Sequence, residues 1–244
     1  MIPKQSESFF TTKSLDEYLA SENKKEFIYI HLVKDSNFIE GINLEGKLFH
    51  ERDIEDFLIS DHILAYEYVI DKYHKPLTAD EICTIHSILM NNVFRLQKIG
   101  DAGEYRKNPV YIGPKYGIQE GGIIYKQISK AMKNLEKDIA NLYPNYKQTE
   151  NILQLHNEFE IIHPFNDGNG RTGRLILNWL SLKHMNQFIT IDSKKRKEYY
   201  TSIKTGRQDY IDKHPEIKFY KDRSVKQQFI DPMFLISCSK PKIC

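Results

Sequence analysis

Between residues 163 and 174 the chain reads His-Pro-Phe-Asn-Asp-Gly-Asn-Gly-Arg-Thr-Gly-Arg. Gly168, Gly170 and Gly173 let the backbone turn sharply and approach a ligand closely. The apolar run that follows, Leu175 to Leu182, predicts a helix whose first N–H groups and positive dipole end face this loop, a geometry that binds anions. Arg171 and Arg174 add cationic forks matched to phosphate oxygens, and Asp167 adds a hard oxygen of the kind a phosphate-bridging Mg²⁺ accepts. His163 has an ordinary pKa near neutrality, so it can take a proton from an attacking hydroxyl. One short segment therefore carries a base, a metal ligand and an anion cradle, the parts needed to handle a Mg-polyphosphate.

Other readings of the same residues lack a required part. Gly168-Asn-Gly170-Arg-Thr-Gly173 fits G-x-G-x-x-G, but the dinucleotide fingerprint needs a strand directly before it, and here a helical run ending in His-Pro precedes. A P-loop needs Lys and Ser/Thr where this chain has Arg174 and Leu175. His156, Glu160 and His163 fall at i, i+4 and i+7, a spacing able to ligate zinc, although Pro164 displaces the last member. A loop with no ligand would leave two arginines and an aspartate in need of partners wherever it is buried.

The elements that must position this segment read as helices. Thr78-x-x-Glu81 is a capping box, followed by Ile82, Ile85, Ile88, Leu89 and Val93 at helical spacing. After Gly121-Gly122, Ile124, Ile128, Met132, Leu135 and Ile139 share one face, with Lys126, Lys130, Lys133 and Lys137 elsewhere. Thr149 and Glu150 open a third helix, with Ile152, Leu153, His156 and Phe159, that must stop near Ile162 because Pro164 disfavours helix at His163. Leu175, Ile176, Leu177, Trp179, Leu180 and Leu182 make a fourth, apolar nearly all round and so central. The convincing extended stretch is Asn108 to Gln119, a small hairpin or an irregular loop around Gly-Pro and Tyr-Gly turn signals. The class is mostly α.

The chain has 244 residues, 40% apolar and 28% charged, which suits a folded globular protein and excludes a disordered one. No apolar run approaches a membrane span, and Met1 to Phe10 lacks a signal-peptide pattern. Cys83, Cys238 and Cys244 are odd in number and share no metal-ligand spacing, so reduced thiols and a cytoplasmic home are expected. Residues 183–244 hold 14 Lys or Arg against 7 Asp or Glu, a basic last quarter. No aromatic-basic motif accompanies it, and nucleic-acid binding is not expected.

Residues 163–174 match the motif of the Fic family, H-x-F-x-D/E-G-N-G-R-x-x-R, at every defined position. Leu155-His156 and Ile162 before it, Gly103-Glu104-Tyr105-Arg106, and Tyr199-Tyr200 also resemble the family's flanking segments, so the likeness covers roughly residues 76–215. Related Doc kinases carry a lysine where this chain has Gly170, which disfavours phosphorylation. The resemblance implies a Fido-type helical bundle with a small β-hairpin flap that moves AMP from ATP to a Ser, Thr or Tyr hydroxyl of a target protein, with Mg²⁺. It assigns His163 as base, Phe165 as loop anchor, Asp167 as metal ligand and Gly168, Asn169 and Gly170 as phosphate cradle. Arg171 and Arg174 would hold the β and γ phosphates, with Thr172 and Gly173 in the same nucleotide-binding run and Tyr199 and Tyr200 beside the nucleotide. On this assignment Arg174 matters more to ATP use than a surface arginine such as Arg52. Val110, Tyr111, Ile112 and Gly113 would be the flap that docks the target as an added strand.

Ser36-Asn-Phe-Ile-Glu40-Gly41 resembles the inhibitory motif S/T-x-x-x-E-G/N of relatives that carry an N-terminal brake, and the resemblance pairs Glu40 with Arg174. In some relatives this glutamate also assists removal of AMP. The resulting division is an N-terminal helical segment with the inhibitory motif (1–75), a Fido core (76–215) and a C-terminal extension (216–244). The alternatives are a non-catalytic nucleotide- or peptide-binding module, or transfer of UMP or phosphocholine. The implied partners are ATP and a hydroxyl-bearing target, with self-modification and a homo-oligomer both compatible with the resemblance. Delivery to a host cell, known among relatives, is a second location.

Overall fold

In the computed structural model, the described residues are 8–42, 54–98, 100–113, 117–143 and 147–225. Arg52, Cys238, Cys244 and the flap tip, 114–116, lie outside them. Helix α4 (Ile54–Lys72) and helix α5 (Ala79–Gln97) pack side by side. Thr78 caps α5 by accepting from the Glu81 N–H at 3.2 Å, but the Glu81 carboxylate does not reach back. It accepts instead from the Tyr68 hydroxyl of α4 at 2.6 Å, so the expected capping pair also ties two helices together.

Helix α6 (Ile128–Ala140) buries Ile128, Met132, Leu135 and Ile139 and leaves Lys130, Lys133 and Lys137 exposed, as its periodicity predicts; half-buried Ile124 and exposed Lys126 lie before it, Lys126 in a 3-10 turn (Tyr125–Gln127). Helix α7 (Gln148–Ile162) ends where Pro164 requires, with His163 in the left-handed region at φ 49°. Helix α8 (Asn169–Met185) is the centre: Leu175, Ile176, Leu177, Trp179, Leu180 and Leu182 are fully buried, and the helix packs on α4, α5 and α7. Helix α9 (Arg196–Lys213) covers α7 from the other side.

Asn108 to Gln119 resolves as the hairpin rather than the irregular loop: β2 (Tyr111–Ile112) pairs antiparallel with β3 (Gly117–Gly121). A further strand, β5 (Arg223–Val225), lies on the other side of β3, giving the order β2-β3-β5. Neither the β5 segment nor the second sheet has a strong strand signal in the sequence. Strand β1 (Phe10–Ser14) pairs with β4 (Gln187–Ile191), from Phe10 opposite Ile191 to Ser14 opposite Gln187. This clasp brings the N-terminal segment to the end of α8. The chain then runs through α1 (Leu15–Ala20), α2 (Lys24–Ile28), a π-helical turn (Tyr29–Val33) and α3 (Lys34–Ile39). Phe27, Ile28, Leu32, Val33 and Ile39 enter the same hydrophobic core as α5, α7 and α8. Among the described residues no helix is long and apolar enough to cross a membrane.

Candidate active site

The loop between α7 and α8 is held from four sides. Asn169 clasps it: its Oδ1 accepts from the Phe165 N–H and its Nδ2 donates to the Phe165 carbonyl, both at 2.9 Å. The Phe165 ring is buried and lies 3.7 Å, nearly parallel, from the His86 ring of α5. His86 Nδ1 accepts from the Gly103 N–H at 2.8 Å, which leaves Nε2 protonated to donate to the Asp167 carbonyl at 2.9 Å. Arg106, 2% exposed, donates to three backbone carbonyls at 2.8 Å each: His163, Asn108 and Ile123. Those carbonyls belong to the loop and to both ends of the hairpin, so one guanidinium fixes the flap to the loop.

Helix α8 opens without a side-chain cap. Its N-cap is Gly168 at φ 77°, where a side chain would also collide with Met90. The first N–H groups of the helix are therefore left for a ligand. A methyl group at Gly170 would displace the Glu40 carboxylate, whose Oε1 lies against it beside Arg174 Nη1. Asp167 is exposed; its Oδ1 accepts from the Gly168 N–H at 2.7 Å, and its Oδ2 is 4.0 Å from Arg171 Nη2.

Arg171 is 4% exposed, and its Nε and Nη1 are buried without a hydrogen-bond partner. A buried guanidinium left this way calls for an anion. Arg174, 3% exposed, is bound by the two end residues of the Ser36-x-x-x-Glu40 segment. Its Nε donates to Ser36 Oγ at 2.8 Å, and its Nη2 donates to the Ser36 carbonyl at 2.9 Å and to Glu40 Oε1 at 2.7 Å. The i, i+4 spacing puts Ser36 and Glu40 on one face of α3, and Gly41 at φ 80° ends that helix just past Glu40. Burial pushes the Glu40 carboxyl up, but Arg174, by charge and hydrogen bond and with help from Arg171 and Arg196, brings it below its ordinary value.

His163 is half-buried, and its pKa is lowered to about 4, chiefly by burial and then by the charge of Arg106. A hydrogen bond with the Glu160 backbone and the charges of Glu40 and Asp167 oppose the shift. At neutral pH the imidazole is uncharged and able to accept a proton.

The expected nucleotide-binding residues separate into two groups. Gly168, Gly170, Arg171 and Arg174 converge on the N-terminus of α8. Asn169 and Thr172 are buried, Asn169 as the loop clasp, and Gly173 packs against Glu160 Oε1. Tyr199 is 1% exposed and stands behind Arg174, 3.5 Å from its Nη1. Its hydroxyl donates to His156 Nε2 at 3.0 Å, because His156 Nδ1 donates to the Gly173 carbonyl at 3.0 Å. Tyr200 is exposed, with Arg196 over its ring at 5.3 Å. With both His156 nitrogens engaged, the His156–Glu160–His163 zinc alternative has no free ligand at its first position. A different trio, Asp138, Glu158 and His214, does come together, but Lys213 Nζ already bridges Asp138 at 2.9 Å and Glu158 at 2.8 Å.

Two supports were not singled out by the sequence reading. His86 sits in the apolar stripe of α5, where a histidine must find hydrogen-bond partners, and that position is its sequence signal. Glu160, weighed only as a metal ligand, is a buried acid raised to about 8 by burial and by Glu40, against the charge of Arg174. Its Oε1 has no hydrogen-bond partner.

A glycine-rich loop opening a central helix, with two buried arginines, a histidine and a hairpin clamped to it, defines the class as a helical protein built around a loop whose geometry suits an anion. Comparison then gives the likeness: residues 76–181 match the Fic/DOC family. It is 30% identical over 152 residues to the protein adenylyltransferase Fic of Drosophila erecta, covering 62% of this chain and 28% of that protein. With the same-named protein of Drosophila virilis it shares 30% over 167 residues, 67% of this chain and 32% of that one. The chain thus spans about a third of the length of these relatives. A Fic family protein from Desulfovibrio desulfuricans G20 superposes with a TM-score of 0.65 at 21% identity over 80% of this chain and 62% of that one. A Fic domain containing signaling protein from Bacteroides thetaiotaomicron superposes with 0.62 at 18% identity over 83% of this chain and 88% of that one. These likenesses bear out the mostly α, Fido-type fold with its small hairpin.

Proposed function

We propose that this protein is an adenylyltransferase that moves AMP from ATP to a Ser, Thr or Tyr hydroxyl of a protein, restrained by Glu40. The observation that carries the reading is the buried Arg171 guanidinium, whose Nε and Nη1 have no hydrogen-bond partner, beside uncapped helix N–H groups and an uncharged histidine. The acceptor oxygen attacks the α-phosphorus, the bond to the α–β bridging oxygen breaks, and pyrophosphate leaves. His163 takes the hydroxyl proton. Arg171, Arg174 and the first N–H groups of α8 meet the charge that develops on the leaving pyrophosphate. Asp167 fits Mg²⁺: one oxygen is fixed by the Gly168 N–H while the side chain remains 54% exposed, the kind of single-carboxylate site that Mg²⁺ completes with phosphates and water. When bound, the ion would neutralise phosphate charge.

Glu40 supports the regulatory half of the reading. Its carboxylate lies against Gly170 and on Arg174, so an anion of the protein's own occupies the group proposed to hold the γ-phosphate. Incubation with ATP labelled at the α-phosphate tests the transfer. Label on protein that disappears in His163→Ala is the expected result; label that persists in that variant, or that arrives only from the γ-phosphate, overturns the mechanism.

A further inference from the structure

The C-terminal segment follows the flap along its whole outer edge. Ile123 lies opposite Phe219 and Gly117 opposite Val225, so the register does not slip between the two ends. The Ile124 N–H donates to the Lys218 carbonyl and the Tyr220 N–H to the Gly122 carbonyl, each at 2.9 Å. Side chains fasten the same edge. Asp222 Oδ1 accepts from the Gly121 N–H at 3.0 Å, and Arg223 Nε donates to Gln119 Oε1 at 2.9 Å. The Arg223 guanidinium also crosses the sheet to lie 3.8 Å from the centre of the Tyr111 ring, on β2. From α9, Arg207 donates to the Gly121 carbonyl at 2.7 Å and stacks over Phe219 at 4.4 Å.

A two-stranded hairpin has two open edges, and either can recruit an extended segment. Here β3 is central, so of the hairpin's own two edges that of β2 remains open, and the other edge of the sheet belongs to β5. The same β2 begins just beyond Asn108, whose carbonyl Arg106 ties to the His163 backbone. We propose that residues 217–225, an extended segment that ends in β5, seal the β3 edge, so that an extended, hydroxyl-bearing acceptor segment adds at Val110–Gly113 and nowhere else on the hairpin, with Arg223 as the residue that positions that edge. This rests on the reading of the flap as the acceptor-docking element. It also gives part of the basic last quarter of the chain a task, since Arg207 and Arg223 fasten the flap.

Two full-length variants test it. Arg223→Ala removes the stack on Tyr111 and the bond to Gln119, and Ser224→Pro places a residue without an N–H in the middle of β5. Amide hydrogen exchange in both should rise by about tenfold or more over Tyr111–Ile112 and Gly117–Gly121, with α7 and α8 unchanged, the pattern of local rather than global opening. Unaltered flap exchange in both variants overturns the strap. In the Glu40→Gly background, with the His163→Ala copy of this chain as acceptor and α-labelled ATP as donor, Arg223→Ala should raise the acceptor KM about fivefold, the scale of one lost cation–π contact, with kcat retained. A fall in kcat at constant KM overturns the positioning role. Absence of AMP transfer in every variant, with flap exchange still raised, would instead retire the transfer reading and leave the sealed edge standing.

Discussion

Replacing Glu40 with glycine should weaken the resting protein and strengthen its response to nucleotide. Arg174 is 3% exposed and would lose its 2.7 Å carboxylate partner while keeping its bonds to Ser36. Removing one partner of a fully buried pair costs roughly 3–5 kcal/mol; with Glu40 still 30% exposed, about 2 kcal/mol is the reasonable size here. For a chain of this length that corresponds to a fall in Tm of about 4–8 °C. Mg-ATP should then supply the missing anion, and at a hundredfold excess over Kd it would return about 2.7 kcal/mol. Differential scanning fluorimetry with and without Mg-ATP measures both quantities, and α-labelled ATP follows the accompanying gain in labelling. A variant with unchanged Tm, the same ATP-dependent gain as wild type and unchanged labelling would refute the proposed role of Glu40.

In the Glu40→Gly background, Arg174→Ala should reduce ATP affinity by about tenfold or more, as loss of a charge-assisted contact implies, whereas the exposed Arg95→Ala should not; equal affinities would count against Arg174 as a phosphate ligand. The acid limb of kcat/KM should fall near pH 4 rather than near 6.5, because His163 is held at about 4, leaving the profile flat between pH 6 and 8; a midpoint above 6 would contradict the assignment. Glu160, raised to about 8, stabilises the fold fully below its unfolded pKa of 4.5, and that contribution is lost as pH rises through 8. Glu160→Gln should remove this dependence, so wild-type and variant Tm curves that stay parallel from pH 5 to 9 would refute it. The neutral histidines His86, His156 and His163 act in the opposite sense: their contribution is present above pH 6.5 and is lost as pH falls toward 4 and 3.

Much of the loop could be read because its parts are adjacent in sequence: His163, Asp167, the glycines and the two arginines share one turn of chain. The helices α5, α6, α7 and α8 were equally legible, since apolar spacing reports a buried face directly. The β1–β4 sheet was not, because Phe10–Ser14 is short and mostly polar and its partner lies beyond α8; Phe188, Ile189 and Ile191 gave a β-branched and aromatic signal that a run of five residues leaves ambiguous. The role of Arg106 was hidden for a different reason. Its partners are backbone carbonyls, which leave no mark on side-chain patterns. Glu40 and Arg174 stand 134 residues apart, a separation across which only the family resemblance linked them.

The clasp between Phe10–Ser14 and Gln187–Ile191 gives the proposed brake the character of a tethered ligand. When Glu40 leaves Arg174, the helix that carries it stays attached through β1 and the core residues of α2, so the carboxylate remains nearby at an effective concentration in the millimolar range typical of short tethers. Incoming ATP then competes with a local anion whose supply does not change when the protein is diluted. The strength of restraint becomes a property of the tether as well as of the ion pair. Loosening the clasp, far from any phosphate, would shift the balance toward nucleotide without altering one residue of the site.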